Sequence, residues 1–285
     1  FGEDEKTLII ACEEGEVEYD IPALEKENAS VEFIENEEDL NYETLLHLHQ
    51  KYQPTQVMIE YNGMWDNTKF VDEICIDQWQ VVQILTTISA ETFDLYYNNM
   101  RGQFVYHITG SDLVIVNRCD ENTKKYPIRG SIKSLNPMCQ IVYENKNRQI
   151  EDLTVNDLPY NLNDDYIEVN DMDYGIFCMH IMENPQIYEN KTIKIKGKVI
   201  GRDKLIENGF VLGRQAMVCC SDDMQLLGLV CISKYAKDLI KDEWLVVDGT
   251  ISLEYDESIQ SNIPILHVDH LEGAKPLENE YVTFD

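Results

Sequence analysis

The sequence predicts an α/β half built on a parallel sheet, followed by a small, mostly-β barrel. Three observations predict it. Short apolar runs at residues 7–12, 56–59 and 113–116 each lead directly into polar and charged side chains, as strands do when their ends carry ligand loops. Helix-length segments around 68–76, 91–104 and 121–135 separate such runs, and strands alternating with helices imply a parallel sheet. Beyond residue 190 the pattern becomes strands joined by tight turns.

The first strand, 7–12, ends in Glu13-Glu14-Gly15-Glu16-Val17-Glu18-Tyr19-Asp20. A short strand at 31–34 precedes Glu35, Glu37, Glu38 and Asp39, acidic residues suited to a helix start, and Leu40, Leu45, Leu46 and Leu48 then mark an apolar helical face. Pro54 punctuates before 56–59, whose exit is Glu60-Tyr61-Asn62-Gly63. Residues 81–88 supply a further strand. At 113–116 the run Leu-Val-Ile-Val suits a strand buried on both faces, which places Asn117 and Asp120 where recognition occurs in open α/β sheets. The same residue types equally suit a turn and helix cap. Residues 140–143 form the last strand of this half.

From 149 to 190 there is no Lys or Arg, and the acidic stretch 151–173 reads as a linker or an acidic strap on a domain surface, with a short helix near 177–182. Five strands follow, at 192–200, 209–220, 226–233, 244–255 and 263–271, with a helix near 234–240. Residues 193–199 alternate strictly, one face apolar and the other basic. Five such strands and one helix suggest a partly open barrel of the OB type. The expected domains are therefore 1–148, a linker or strap over 149–183, and 184–285.

Lys and Arg total 23 against 53 Asp and Glu, a net charge of -30, which opposes binding along a nucleic-acid backbone. Nucleic acid is not an expected partner. The charge also suits cations, or simply a solvated acidic surface. Eight cysteines without a short-spaced framework point to a reduced, cytoplasmic chain. No apolar run approaches the roughly 20 residues of a membrane helix, so membrane insertion is not expected. The chain opens with Phe1 rather than Met, which reads as a fragment or a processed chain.

Taken together, the three polar strand exits resemble the CobW-type GTPases, a branch of the P-loop G proteins associated with metal delivery. Glu13, Gly15, Glu16 and Asp20 match that family's Glu-x-Gly-Glu and later Asp. Glu60 and Gly63 match its Glu-x-x-Gly signature near the terminal phosphate and magnesium. Asn117-Arg118-Cys119-Asp120 looks like the Asn-Lys-x-Asp base-reading motif, and Asn136-Pro137 like the segment after it. The resemblance covers about 7–145. It implies a P-loop G-domain fold that takes GTP with Mg²⁺, with Glu60 and Gly63 in the catalytic role, Glu13, Gly15, Glu16 and Asp20 at the switch and magnesium, and Asn117, Arg118, Asp120 and Asn136 on the guanine nucleotide. A fixed carboxylate such as Asp120 accepts from both adjacent donors of a guanine ring. Arg118 stands where the family has Lys, and a planar guanidinium is not an equivalent replacement.

The phosphate loop Gly-x-x-x-x-Gly-Lys-Ser/Thr does not occur in the sequence, and the family's order places it upstream of Phe1. GTP hydrolysis is therefore expected only of a protein that supplies that loop. The family's Cys-x-Cys-Cys, suited to zinc or cobalt, is replaced here by Glu35, Glu37, Glu38 and Asp39, oxygen donors suited to a harder cation or to water.

Residues 184–284 are similar to the C-terminal domain of YcgQ-type proteins: Arg214, then Cys219-Cys220 and Asp222, then Trp244 and the closing 276–281 segment match its pattern. The resemblance implies a membrane-permease partner. Cys219, Cys220 and Asp222 are candidate ligands for a transition metal, though two thiolates alone do not complete a tetrahedral site, and buried structural thiols are the alternative. His47 and His49 point to different helical faces, and Tyr96, Tyr97, Met100 and Phe104 read as packing. Two functions follow as expectations. One is GTP-dependent metal handling, with a metal-client protein as partner; the other is a non-hydrolysing adaptor to a permease.

Overall fold

The computed structural model describes every residue except 1–4, 14, 16, 204–205, 218–223, 258–259, 283 and 285. The chain divides into two compact units, Phe1–Thr86 with Leu95–Val114 and Thr87–Asp94 with Ile115–Asp285.

The first unit is built on β1 (Thr7–Ala11), α1 (Ile21–Lys26), β2 (Ala29–Phe33), α2 (Tyr42–Tyr52) and β3 (Gln56–Glu60). The strands form a parallel sheet in the order β2-β1-β3, with Ala11 level with both Phe33 and Glu60. Every residue of β1 is buried, as expected of a central strand whose two faces are both apolar. The α2 helix starts because the Asn41 side chain accepts the Thr44 amide, and it stops where Gln53 enters the left-handed region. Leu45 and Leu48 on its inner face pack with Leu8, Ile10 and Cys12.

The helix expected over 68–76 is a single π-helical turn, Phe70–Ile74. Next come β4 (Leu85–Ser89), α3 (Phe93–Asn99), α4 (Arg101–Thr109), β5 (Leu113–Cys119), α5 (Lys125–Leu135), β6 (Gln140–Asn145) and β7 (Ile150–Glu151). Among the described residues these strands make a separate sheet, β4-β5-β6-β7, where the sequence predicts one continuous parallel sheet. The physical reason lies between β3 and β4. One π turn has no face long enough to cover a strand, and residues 81–84 form no ladder, so β4 starts at Leu85. The predicted helix at 91–104 is broken at Met100 into α3 and α4.

Within the second unit, β8 (Tyr166–Glu168), α6 (Tyr174–Glu183) and α7 (Pro185–Tyr188) precede β9 (Thr192–Arg202), β10 (Gly209–Met217), β11 (Met224–Ile232), β12 (Trp244–Asp256) and β13 (Ser261–Gly273). Strand β9 pairs antiparallel with both β10 and β12, β12 pairs with β13, and β11 runs parallel to β13. The five-stranded barrel is therefore closed, not partly open. Register shifts at Val211/Leu212 and Asp248/Gly249 add the local twist that closure needs. Residues 234–238 are turns held by Ala236 and Asp238 amides reaching Ser233 and Tyr235 carbonyls, not the helix predicted near 234–240.

Residues 149–183 join the core instead of lying as a strap. Leu158, Leu162, Ile167 and Val169, spaced among the acidic residues, are buried with Tyr174, Phe177 and Ile181 of α6 and with Ile193, Phe210 and Leu266 of the barrel. Their charges stay outside while the apolar side chains turn in. Lys125, itself buried, anchors the start of this segment through Glu151 at 3.0 Å and Asp157 at 3.8 Å. Gly130 of α5 and Gly175 of α6 open space at one place: a Cβ would lie 2.2 Å from Phe284 Cδ1 at the first and 2.6 Å from Val282 Cγ1 at the second.

Candidate functional site

Parallel pairing brings the carboxyl ends of β1 and β3 side by side, and the predicted residues of both exits meet there. The Gly63 amide donates to Glu13 Oε2 at 3.2 Å, and Asn62 Nδ2 donates to the Cys12 carbonyl at 3.1 Å. Tyr19 donates its hydroxyl to Glu60 Oε2 at 2.6 Å. Burial and then Glu60 push the Tyr19 phenol up to about 12, and burial together with Glu60 pushes the Cys12 thiol up to about 11. His107 of α4 closes the same cluster. Its Nε2 lies 3.0 Å from the Gly63 carbonyl, so Nε2 carries the proton, and its Nδ1 accepts from Asn67 Nδ2 at 3.2 Å. Sequence reasoning missed His107, since nothing local marks a helical histidine as the partner of a loop 44 residues away.

Asp20 does not stand free. It caps α1, with Oδ1 accepting the Ala23 amide at 3.1 Å. Gly15 is exposed, and Glu16 lies outside the described residues. Of the acidic stretch after β2, Glu37 accepts the Asp66 amide at 3.3 Å and Asp39 accepts from Asn36 Nδ2 at 2.9 Å. Among the described residues, no group of three or more His, Cys, Asp or Glu is placed to hold a metal ion. Cys219, Cys220 and Asp222 lie outside the described residues.

One expected result tests the first cluster. Glu60→Gln lowers the Tyr19 titration from about 12 while leaving it above the ordinary tyrosine value, because burial, the largest single cause, remains. Alkaline difference titration at 295 nm, with Tyr19→Phe as the reference, reads it; an unchanged Tyr19 midpoint would contradict the assignment.

The base-reading candidates lie in the second unit. Asp120 folds back on its own loop: Oδ1 accepts the Asn122 amide at 3.0 Å and the Thr123 hydroxyl at 3.3 Å, while Thr123 Oγ1 accepts the Asp120 amide at 2.8 Å. Its other oxygen meets Lys146 Nζ at 3.2 Å, and Lys146 also pairs with Glu91 at 2.8 Å. The Asn122 amide and Lys146 hold the Asp120 carboxyl below its ordinary range. Arg118 is exposed and turns the chain through the left-handed region at φ 56°. Asn136 ends α5 and accepts the Cys139 amide at 3.1 Å. Asn117 differs from the others, because its Oδ1 is buried without a hydrogen-bond partner.

In the barrel, Arg214 shares the inward-facing parity of Phe210 and Leu212 and is buried. Its guanidinium lies 4.2 Å from the centre of the Tyr174 ring and 5.6 Å from that of Trp244, donates to the Lys196 carbonyl from Nε at 2.9 Å and Nη2 at 2.6 Å, and pairs with Asp171 Oδ1 at 2.5 Å. It ties the approach to α6 into the barrel wall.

Residues 144–283 match the DUF1980 C-terminal domain. The chain is also similar, at 23% identity over 116 residues, to the UPF0703 protein YcgQ of Bacillus subtilis (strain 168), and the match covers 41% of each chain. The chain thus spans about two fifths of the length of that curated relative. Among solved structures it is similar to a small single-stranded DNA-binding protein from Streptomyces coelicolor (13% identity, 29% of this chain and 93% of that one, TM-score 0.20). The mitochondrial single-stranded DNA-binding protein Rim1 of S. cerevisiae is also similar (8% identity, 30% and 94%, TM-score 0.20). The DUF1980-type match begins inside β6, so β7, β8 and α6 are matched along with the barrel. No helix among the described residues is long and apolar enough to cross a membrane.

Proposed function

We propose that the protein is a non-hydrolysing binding module with an OB-like barrel, an adaptor whose partner is a protein, a membrane permease being the class implied by the YcgQ-type resemblance. The observation that supports this reading is that the nucleotide-motif residues are already engaged within the chain. Glu13 occupies the Gly63 amide, Tyr19 occupies Glu60, the α1 amide occupies Asp20, and the Asx turn with Lys146 occupies both oxygens of Asp120. A phosphate approaching Gly63 would meet a carboxylate where it needs a donor, in a chain of net charge -30. That charge favours a partner with a basic surface, and it disfavours nucleic acid.

A second reading keeps GTP-dependent metal handling, with Mg²⁺ and a zinc or cobalt cargo, and a metal-client partner. The unpartnered Oδ1 of Asn117 beside Asp120 favours it. It needs a phosphate loop that this sequence does not contain. Thermal melting with GTP, GDP or ATP at millimolar concentration with Mg²⁺ separates the two. The adaptor reading expects no nucleotide-dependent shift; a saturable rise specific to guanine nucleotide would overturn it.

A further inference from the structure

We propose that Lys125 and Asn145 join in an intramolecular isopeptide bond, which the chain forms by itself with Glu151 as the acid–base group. The cross-link ties the start of α5 to the end of β6. It goes beyond the adaptor reading and does not depend on it.

The register of the β6–β7 hairpin assembles the participants. Tyr143 stands opposite Glu151, and Asn145 lies two residues along β6 from Tyr143, so the three share one face. Helix α5 begins against that face, where the Tyr143 hydroxyl donates to the Lys125 carbonyl at 3.1 Å. Lys125 is the one buried lysine among the described residues, and its Nζ lies 5.8 Å from the centre of the Tyr143 ring. Buried lysines are rare, and desolvation is what turns a lysine amine into a nucleophile.

Glu151 holds the nucleophile and the leaving group at once. Its Oε2 accepts from Lys125 Nζ at 3.0 Å, and its Oε1 accepts from Asn145 Nδ2 at 3.0 Å. Both distances are within reach for proton transfer. The other end of the amide is polarised, since Asn145 Oδ1 accepts the Asn147 amide at 2.9 Å and the Gln149 amide at 3.1 Å. Two backbone donors on one carbonyl oxygen are the device that stabilises the oxyanion of acyl transfer. A structural ion pair accounts for the first of these contacts but not for an amide held at both ends. Asp157 Oδ1 also lies 3.8 Å from Nζ, but its other oxygen is engaged by the Thr154 amide and hydroxyl, each at 2.8 Å.

The reaction balances within the chain. Glu151 takes a proton from the Lys125 ammonium, the freed Nζ lone pair attacks Asn145 Cγ, and the developing oxyanion rests on the Asn147 and Gln149 amides. The tetrahedral carbon then collapses and its bond to Nδ2 breaks. The two protons that Nζ loses pass through Glu151 to Nδ2, which departs as ammonium, and Glu151 is left as the carboxylate it began as. No oxidant or cofactor enters.

Intact-mass spectrometry of the full chain, incubated until its mass is constant, tests the bond. Wild type is expected about 17 Da below its sequence mass, the loss of one ammonia, with a branched peptide joining Lys125 to Asn145 after digestion. Glu151→Gln and Lys125→Arg are expected to keep their full sequence masses. Wild type at its full sequence mass, or a link that forms equally well in Glu151→Gln, would overturn the proposal. A loss of about 18 Da with the branch at Asp157 would mean that water left instead of ammonia, and would overturn the assignment to Asn145. If Glu151→Gln does not fold by circular dichroism, the wild-type mass and its branched peptide decide the matter alone.

Discussion

Arg214→Ala is expected to destabilise the barrel unit by about 3 kcal/mol, whereas Asp171→Asn is expected to cost about 1 kcal/mol or less. The asymmetry follows from burial. The Arg214 side chain is 2% exposed and the Asp171 side chain 46% exposed, so water can replace arginine at the aspartate but nothing replaces it at the Lys196 carbonyl. Leaving a buried acceptor unsatisfied costs about 1–3 kcal/mol. Loss of the guanidinium over Tyr174 and Trp244 adds on the order of 1–2 kcal/mol. Asp171→Asn removes charge from a pair that solvent already screens and leaves the bonds to Lys196 in place. Urea denaturation of both variants measures the difference. Equal costs, or less than about 1 kcal/mol for Arg214→Ala, would show that Arg214 is not the tie between the α6 approach and the barrel.

The second large effect concerns acid. His180 is 5% exposed, its Nδ1 lies 2.7 Å from the Tyr188 hydroxyl, and that hydroxyl lies 2.7 Å from the hydroxyl of Tyr160. Burial, and then the nearby Arg129, push the imidazole down to about 4. Glu183, paired with Arg129, is the neighbouring acid. In the unfolded chain a histidine takes its proton near 6.5, so between about 6.5 and 4 the unfolded state binds a proton that the native state refuses. Stability is complete above that window and falls with decreasing pH through it, by about 2 kcal/mol at pH 5. His180→Phe cannot titrate, so its stability gap from wild type is expected to narrow by that amount between pH 7 and pH 5. Stopping at pH 5 keeps most of the 53 carboxylates ionised in both proteins. A gap that stays constant would mean that His180 is as free to protonate in the native state as in the unfolded one.

Much of this architecture is legible in the residue pattern, and the limits are physical. The run at β1 is apolar and buried on both faces, and the alternation in β9 is strict, because burial dictates those periodicities locally, whereas β3, equally apolar in sequence, leaves Met58 half exposed. The break into two sheets is not legible, since pairing between distant strands leaves no local trace and the shrinkage of the expected crossover helix at 68–76 to one π turn at Phe70–Ile74 has no local signature. The fate of Asp120 illustrates the same limit at the site. Asn-x-x-Asp suits both a base-reading loop and a turn, and the choice is made by Thr123 nearby and by Lys146, a residue from beyond β6. Acidic residues at 151–173 suggest a surface strap because composition hides Leu158, Leu162, Ile167 and Val169, which turn inward. Gly130 does leave a sequence signal, glycine in a helix interior at about 1 kcal/mol relative to alanine, but only the structure shows that Phe284 fills the space beside it and that Val282 and Phe284 lie against Gly175 in the first turn of α6.

Hydrogen exchange at the Gly63 and Asn122 amides, with and without millimolar GTP and Mg²⁺, tests most directly whether the strand-end loops are closed on themselves. Both amides are bonded to carboxylates of the chain, Glu13 and Asp120. Unchanged exchange with nucleotide, together with faster Gly63 exchange in Glu13→Gln, is the expected result. Slower exchange at both amides on adding GTP would contradict it, because the nucleotide would then be taking the places that the structure gives to the protein's own side chains.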